Sequence, residues 1–205
     1  MTVSRMRSSL AAATFILFGW VGGAVAQGDP NPIRRVAIDP QIQQPEIPLI
    51  QSPGHFKAFM IAGGIGAAID QNEAGKAFRE YMRKNDIDIS KIVLDSVKRV
   101  IEEGKPFALA ADADATLKLA INNYGFGVAG LFGGDARRPL INITASLVSR
   151  DGSVTWKKTD FITNMSKLTE AYTYDQLAKD PQLTAKSFEQ ASVLVSREIL
   201  ADLKK

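Results

Sequence analysis

The chain contains no cysteine and a single histidine, His55. Without cysteine it can form no disulfide, offer no thiolate to a metal and use no cysteine nucleophile. One histidine rules out a histidine cluster around a metal and limits any serine–histidine pairing to that residue. An excess of charge of one sign is also lacking. The 205 residues hold 25 basic and 22 acidic side chains without a like-charged block, which argues against a nucleic-acid footprint. No serine sits in a Gly-x-Ser-x-Gly elbow, and no Walker-type phosphate loop is present.

The first residues have the three parts of an export signal. Arg5 and Arg7 supply a positive start, Leu10 to Val25 an apolar run, and Ala24-Val25-Ala26 a small-residue cleavage site. Cleavage after Ala26 is expected, with the mature chain periplasmic or secreted and without a cysteine to carry a lipid. Arg5 and Arg7 leave with the signal, so the mature chain has 23 basic against 22 acidic residues and a charge near +1. Its size suits one hydrophobic core.

Six of the nine prolines fall between Gln27 and Phe56, so residues 27–56 are expected to form an extended arm with one strand at 34–38. Beyond it, Ala74, Ala77, Phe78, Tyr81 and Met82 recur at helical spacing, and so do Ile89, Ile92, Val93, Val97, Val100 and Ile101. Asp88 is placed to cap the second of these helices, and Gly104 with Pro106 to end it. The period then becomes two, predicting strands at 115–124, 140–149 and 154–162, with Arg150-Asp-Gly-Ser153 as the turn between the last two. Residues 164–179 are expected to be irregular with one short helical turn. Asp180-Pro181 opens a final helix as cap and first residue. The expected fold class is α+β: a single two-layer domain over 57–205 with a mainly antiparallel three- to four-stranded sheet and about three helices.

Two apolar glycine-rich runs stand out, 58–69 and 125–134. Gly64-Ile-Gly66 follows a strand-like stretch, as in a dinucleotide-binding turn. The third glycine is missing, however, and a helix break occupies the place of the second strand. No nucleotide or other cofactor is expected. Small residues four apart favour close packing instead, and the two runs are natural partners for each other or for a docking surface. The binding candidates are therefore Gly63, Gly64, Gly66, Phe126, Leu131 and Phe132. Tyr124 is assigned to the core, and Arg137 and Arg138 to a solvated strand start. Asp112 and Asp114 form an Asp-x-Asp without further acidic neighbours and fit a solvated loop better than a metal site. No catalytic residue and no metal ligand set emerges. Asp39, Asp70 and Asp160 show no spacing that links them to that pair.

Taken together, Arg150-Asp-Gly-Ser-Val-Thr-Trp156 between a strand and a terminal helix resembles the periplasmic α/β domain of curli-secretion-type lipoproteins and the amino-terminal domain of the Tol translocation protein. The glycine-rich run, Tyr124-Gly-Phe-Gly127 and Asp180-Pro181 are similar to those of a family of small exported bacterial proteins. The resemblance implies a helix-on-sheet fold and a binding or assembly role.

The leading expectation is a non-enzymatic envelope protein that binds or scaffolds an envelope protein or lipid through 58–69 and 125–134. A peripheral membrane protein and a hydrolase using Asp112, Asp114 or His55 are the alternatives. Membrane contact by residues 58–69 would make the mature protein float with liposomes and the Ile61→Asp variant stay behind. Absence of flotation in both proteins would end that alternative.

Overall fold

The computed structural model describes residues 33–51, 71–130 and 134–204. They form one compact unit running from Ile33. Its strands in chain order are β1 (Arg35–Ile38), β2 (Leu49–Ile50), β3 (Ala108–Leu109), β4 (Ala115–Val128), β5 (Ala136–Ser149), β6 (Val154–Ile162) and β7 (Tyr172–Thr173). The helices are α1 (Gln71–Lys84), α2 (Ile89–Gly104), α3 (Tyr174–Lys179) and α4 (Pro181–Ala201), followed by a 3₁₀ turn at Asp202–Lys204.

The helix ends follow from local chemistry. Asp88 accepts hydrogen bonds from the Ser90 and Lys91 amides and so satisfies two of the orphan donors that open α2. Thr173 and Gln176 form a capping box on α3, and Asp180 caps α4 ahead of Pro181. Between α1 and α2 the chain turns through Asp86 at φ 54°, with the Ile87 amide bonded back to the Met82 carbonyl.

β4, β5 and β6 form the expected antiparallel meander. The sheet around it is larger and mixed, which corrects the expectation of three or four mainly antiparallel strands. Seven strands take part, in the order β3-β1-β4-β5-β6, with β2 also on β4 and β7 also on β5. β1 and β2 both run parallel to β4, joined between them by a bridge from Gln43 to Ala120. From Ile33 to Gln51 the proline-rich segment thus belongs to the domain as an interrupted parallel partner of β4, with β3 outside β1 at the end of the sheet. Pro40, Pro45 and Pro48 remove donors and break it into pieces. Beyond the short β1 and β2 ladders, the Asp39 amide bonds the Leu117 carbonyl, the Ile121 amide the Gln43 carbonyl and the Gln51 amide the Phe126 carbonyl.

Helices cover one face of the sheet. α4 lies against β5 and β6, α2 packs beside α4, and α1 packs over β2. Leu117, Leu119 and Ile121 of β4 point into this layer with Ile141, Ile143, Ala145 and Leu147 of β5, and all are buried. An irregularity between Ile121 and Asn123 then adds one residue to β4. It reverses the alternation, so the even-numbered Tyr124 and Phe126 face the helices. There Phe126 meets Phe188 at 5.0 Å and Phe78 at 5.7 Å, and Tyr124 meets Phe188 at 6.0 Å. Each such aromatic contributes roughly 1.5–3 kcal/mol by burial, and the edge-on geometry of the Phe78–Phe126 and Tyr124–Phe188 pairs adds about 0.5–1.5 kcal/mol each.

A second irregularity, between Leu147 and Val148, separates Trp156 from Val154. Trp156 turns half-buried toward the helices. Val154 lies opposite Val148 on the other face and is exposed, whereas two residues that far apart in a regular strand would share a face.

At Gly125, φ is +155°, and a Cβ there would overlap the backbone of Leu49. Gly152, at φ +87° in the β5–β6 turn, has open space around it. Gly125→Ala should therefore cost about 3 kcal/mol or more in urea unfolding, against about 1 kcal/mol for Gly152→Ala. Equal losses would mean that β2 does not press on β4 as described.

Candidate functional site

The glycine-rich Gly125–Val128 segment lies inside the fold. Phe126 is fully buried among Phe78 and Phe188 and presents no accessible surface, so as a docking residue it is replaced by a core role. Gly127 takes no side chain because Gln51 and Asn164 crowd the site from both sides. The Asn164 side chain donates to the Val128 carbonyl and closes this end of β4. Gly63, Gly64, Gly66, Leu131 and Phe132 lie outside the described residues, as do His55 and Asp70.

Tyr124 is buried as expected, and burial raises its phenol above the ordinary range. Arg137 is a different matter. It was expected in solvent, yet it is fully buried on the helix side of β5, with its guanidinium carbon 4.6 Å from the Tyr174 ring centre. Burial pushes the Tyr174 hydroxyl up, and the nearby guanidinium pulls it down. Arg138, on the other side of the strand, donates to the Thr169 carbonyl. A signal for Arg137 was present. The buried positions of β5 are 141, 143, 145 and 147, and the same alternation carried back reaches 139 and 137.

Asp112 and Asp114 are clamps. Asp112 binds Arg35 and Arg150 at 2.9 Å each, and Asp114 binds the Arg35 side chain at 3.4 Å and its backbone amide at 3.1 Å. They tie the start of β1, the entry to β4 and the β5–β6 turn together, which is more than a solvated loop does. With both carboxylates engaged by guanidinium groups, neither stands free as a general base. Asp160 instead bonds the Phe161 amide, and Asp39 the Gln41 amide. Among the described residues no three acidic or histidine side chains gather around a common point.

The helix-free face of the sheet has the more open chemistry. Three cross-strand rows lie on it: Lys118, Ser146 and Lys157; Ala120, Thr144 and Thr159; and then Asn142 beside Phe161. Asn122, the extra residue of β4, turns its side chain onto this face and donates to Asn142 at 2.7 Å and Thr144 at 2.8 Å. Thr144 and Thr159 share a hydrogen bond of 2.7 Å. A cleft of about 720 Å³ opens over the face, floored by Lys118, Thr144, Ser146 and Lys157 and walled by Asp39 to Gln43 and by Val154. Lys118 and Lys157 form no ion pair among the described residues, and Phe161 is 61% exposed at the end of the ladder. The sequence showed the polar alternation of β5. It did not show that β4 and β6 set one lysine on each side of it.

No protein-family model matches the chain, and no curated protein matches it. Solved structures do. A protein assigned as a lipoprotein in Caulobacter crescentus matches with a TM-score of 0.42 at 14% identity, over 57% of this chain and 80% of that one. A minor lipoprotein from Acinetobacter baumannii matches with a TM-score of 0.39 at 12% identity, over 83% of this chain and 92% of that one. The PelC dodecamer from Paraburkholderia phytofirmans matches with a TM-score of 0.35 at 11% identity, over 84% and 89%.

The clamp gives a pH prediction. The Arg35 amide and then the nearby guanidinium hold the Asp114 carboxyl below its ordinary range. A depressed folded value contributes stability above the unfolded value of about 3.9 and loses it as pH falls through the folded value. Asp114→Asn should therefore flatten the decline of stability below about pH 4, measured by urea unfolding across pH. An unchanged slope would remove Asp114 from the acid response.

Proposed function

We propose that the chain is a non-enzymatic binding or scaffolding protein of the bacterial cell envelope, and that it holds an acidic polysaccharide on the helix-free face of its sheet. The carrying observation is the row Lys118, Ser146, Lys157 on the floor of the open cleft. Strands lie about 4.8 Å apart, so the two lysines rise about 10 Å from each other. That spacing suits successive negative groups along an extended polymer. The hydroxyl and amide ladder beside them offers the neutral donors and acceptors that sugar hydroxyls require, and the exposed Phe161 ring offers an apolar face to a sugar ring.

The envelope part of the proposal is supported by the signal-like pattern of residues 1–26. The non-enzymatic assignment is supported by the engagement of Asp112 and Asp114 in ion pairs, which leaves the hydrolase alternative without its carboxylates. Residues 125–127 take no part in docking contact, because they are buried in the interior. Contact through 58–69 remains part of the proposal, and the flotation of Ile61→Asp addresses it. The flanks of that run, β2 and α1, pack on each other.

Binding of the mature protein to alginate, measured by calorimetry, tests the open-face reading. The wild type should bind with an affinity that falls as salt rises. The Lys118→Glu, Lys157→Glu double variant should lose at least about tenfold, equivalent to ~1.4 kcal/mol or more. Both positions are exposed, so far-ultraviolet circular dichroism should be unchanged. Equal binding by the two proteins, or no binding by either, would overturn it.

A further inference from the structure

A buried guanidinium is costly unless its charge and its five donors are met. Arg137 is fully buried, and its donors are met only on one side. Nη1 donates to the Gly134 carbonyl at 2.7 Å and the Ala136 carbonyl at 3.0 Å. The Tyr174 ring lies against the flat face of the group. Nε and Nη2 have no hydrogen-bond partner, and no carboxylate pairs with the residue, among the described residues.

The two unmet nitrogens are not a random pair. In an arginine side chain Nε–H and one Nη2–H point the same way along a single edge of the planar group. That edge grips two oxygens of one carboxylate or phosphate side by side. Meanwhile the two carbonyls hold Nη1 and the Tyr174 ring fixes the plane, so the edge is oriented before any ligand arrives. A lysine would present a point charge without such an edge.

The geometry points to an oxyanion site in which Arg137 Nε and Nη2 hold the carboxylate or phosphate group of a small ligand, stacked beside Tyr174. This site faces the helix layer and is independent of the open-face cleft, whose lysines project from the opposite side of the sheet. A purely structural Arg137 would show no preference among anions. Replacing it with an apolar side chain of similar length would then relieve an unmet charge at no cost in ligand response.

The test uses the mature protein with ¹⁵N-labelled arginine side chains, titrated separately with sodium phosphate and sodium acetate against chloride at constant ionic strength. The Arg137 Nε–H resonance, identified by its loss in Arg137→Lys, should shift saturably with at least one of the two anions. A response to phosphate alone assigns a phosphate ligand, and one to acetate alone assigns a carboxylate. Anion at about five times its dissociation constant should raise Tm by about 2–4 °C. Arg137→Lys should weaken the response at least about tenfold, and Arg137→Met should abolish it. A resonance unmoved by both anions overturns the site, as does an equal Tm rise in Arg137→Met. Where Arg137→Met does not fold, the wild-type titration alone decides.

Discussion

One extra residue in β4 organises the molecule. Up to Ile121 the strand buries its odd-numbered positions, and after the irregularity it buries Tyr124 and Phe126. The same sequence run as a regular strand, with Asn122 paired in turn, would put Gly125 and Gly127 against the helices and leave both aromatic rings outside. With the irregularity, the rings join Phe78 of α1 and Phe188 of α4 in the cluster that holds helices from both ends of the chain to the sheet. The displaced residue is also used. Asn122 sends its amide to the opposite face and begins the hydrogen-bonded ladder there. The core and the open face are therefore set by the same local event.

The same phase change explains the glycines. Once Tyr124 and Phe126 turn inward, Gly125 and Gly127 lie where β2 and Asn164 press on β4, and only a bare backbone fits. Their apolar, small-residue character looks like a docking loop when read along the chain. In the fold it is the condition for an edge strand to reach the far end of β4. The 33–51 segment is assembled from short parallel pieces between prolines, and of these β2 pairs only with β4 while β1 also carries β3.

The two faces of the sheet then differ in how charge is handled. On the helix side, the buried Arg137 is held by carbonyls and an aromatic face and keeps one edge unmet. At the rim, Asp112 and Asp114 are taken up by Arg35 and Arg150, exposed pairs whose main effect is to tie three chain segments together. On the open face, Lys118 and Lys157 have no such partners among the described residues. The proposed binding face is the one whose lysines are not used to hold the fold together.

Much of this was legible in the sequence, for a consistent reason. Helical spacing located α1, α2 and α4, and Asp88 and Asp180 located two of their starts, because caps and amphipathic stripes are encoded within a few residues. Period two located β5 and β6, and the Asp-Gly pair the turn between them, for the same cause. Strictly extended, that alternation also reached Arg137. Whatever depends on backbone pairing between distant segments was not legible. A strand at 34–38 was legible and β1 occupies 35–38, but its parallel pairing with β4 and the continuation to Gln51 rest on main-chain bonds that side chains do not announce. The bulge in β4 depends on what Phe78 and Phe188 can receive from residues far away in sequence. The alignment of Lys118 with Lys157 across Ser146 follows from strand registers that only the packed sheet defines. Local chemistry decided the elements; long-range register, which flips every side chain on a one-residue slip, was decided by the core they had to share.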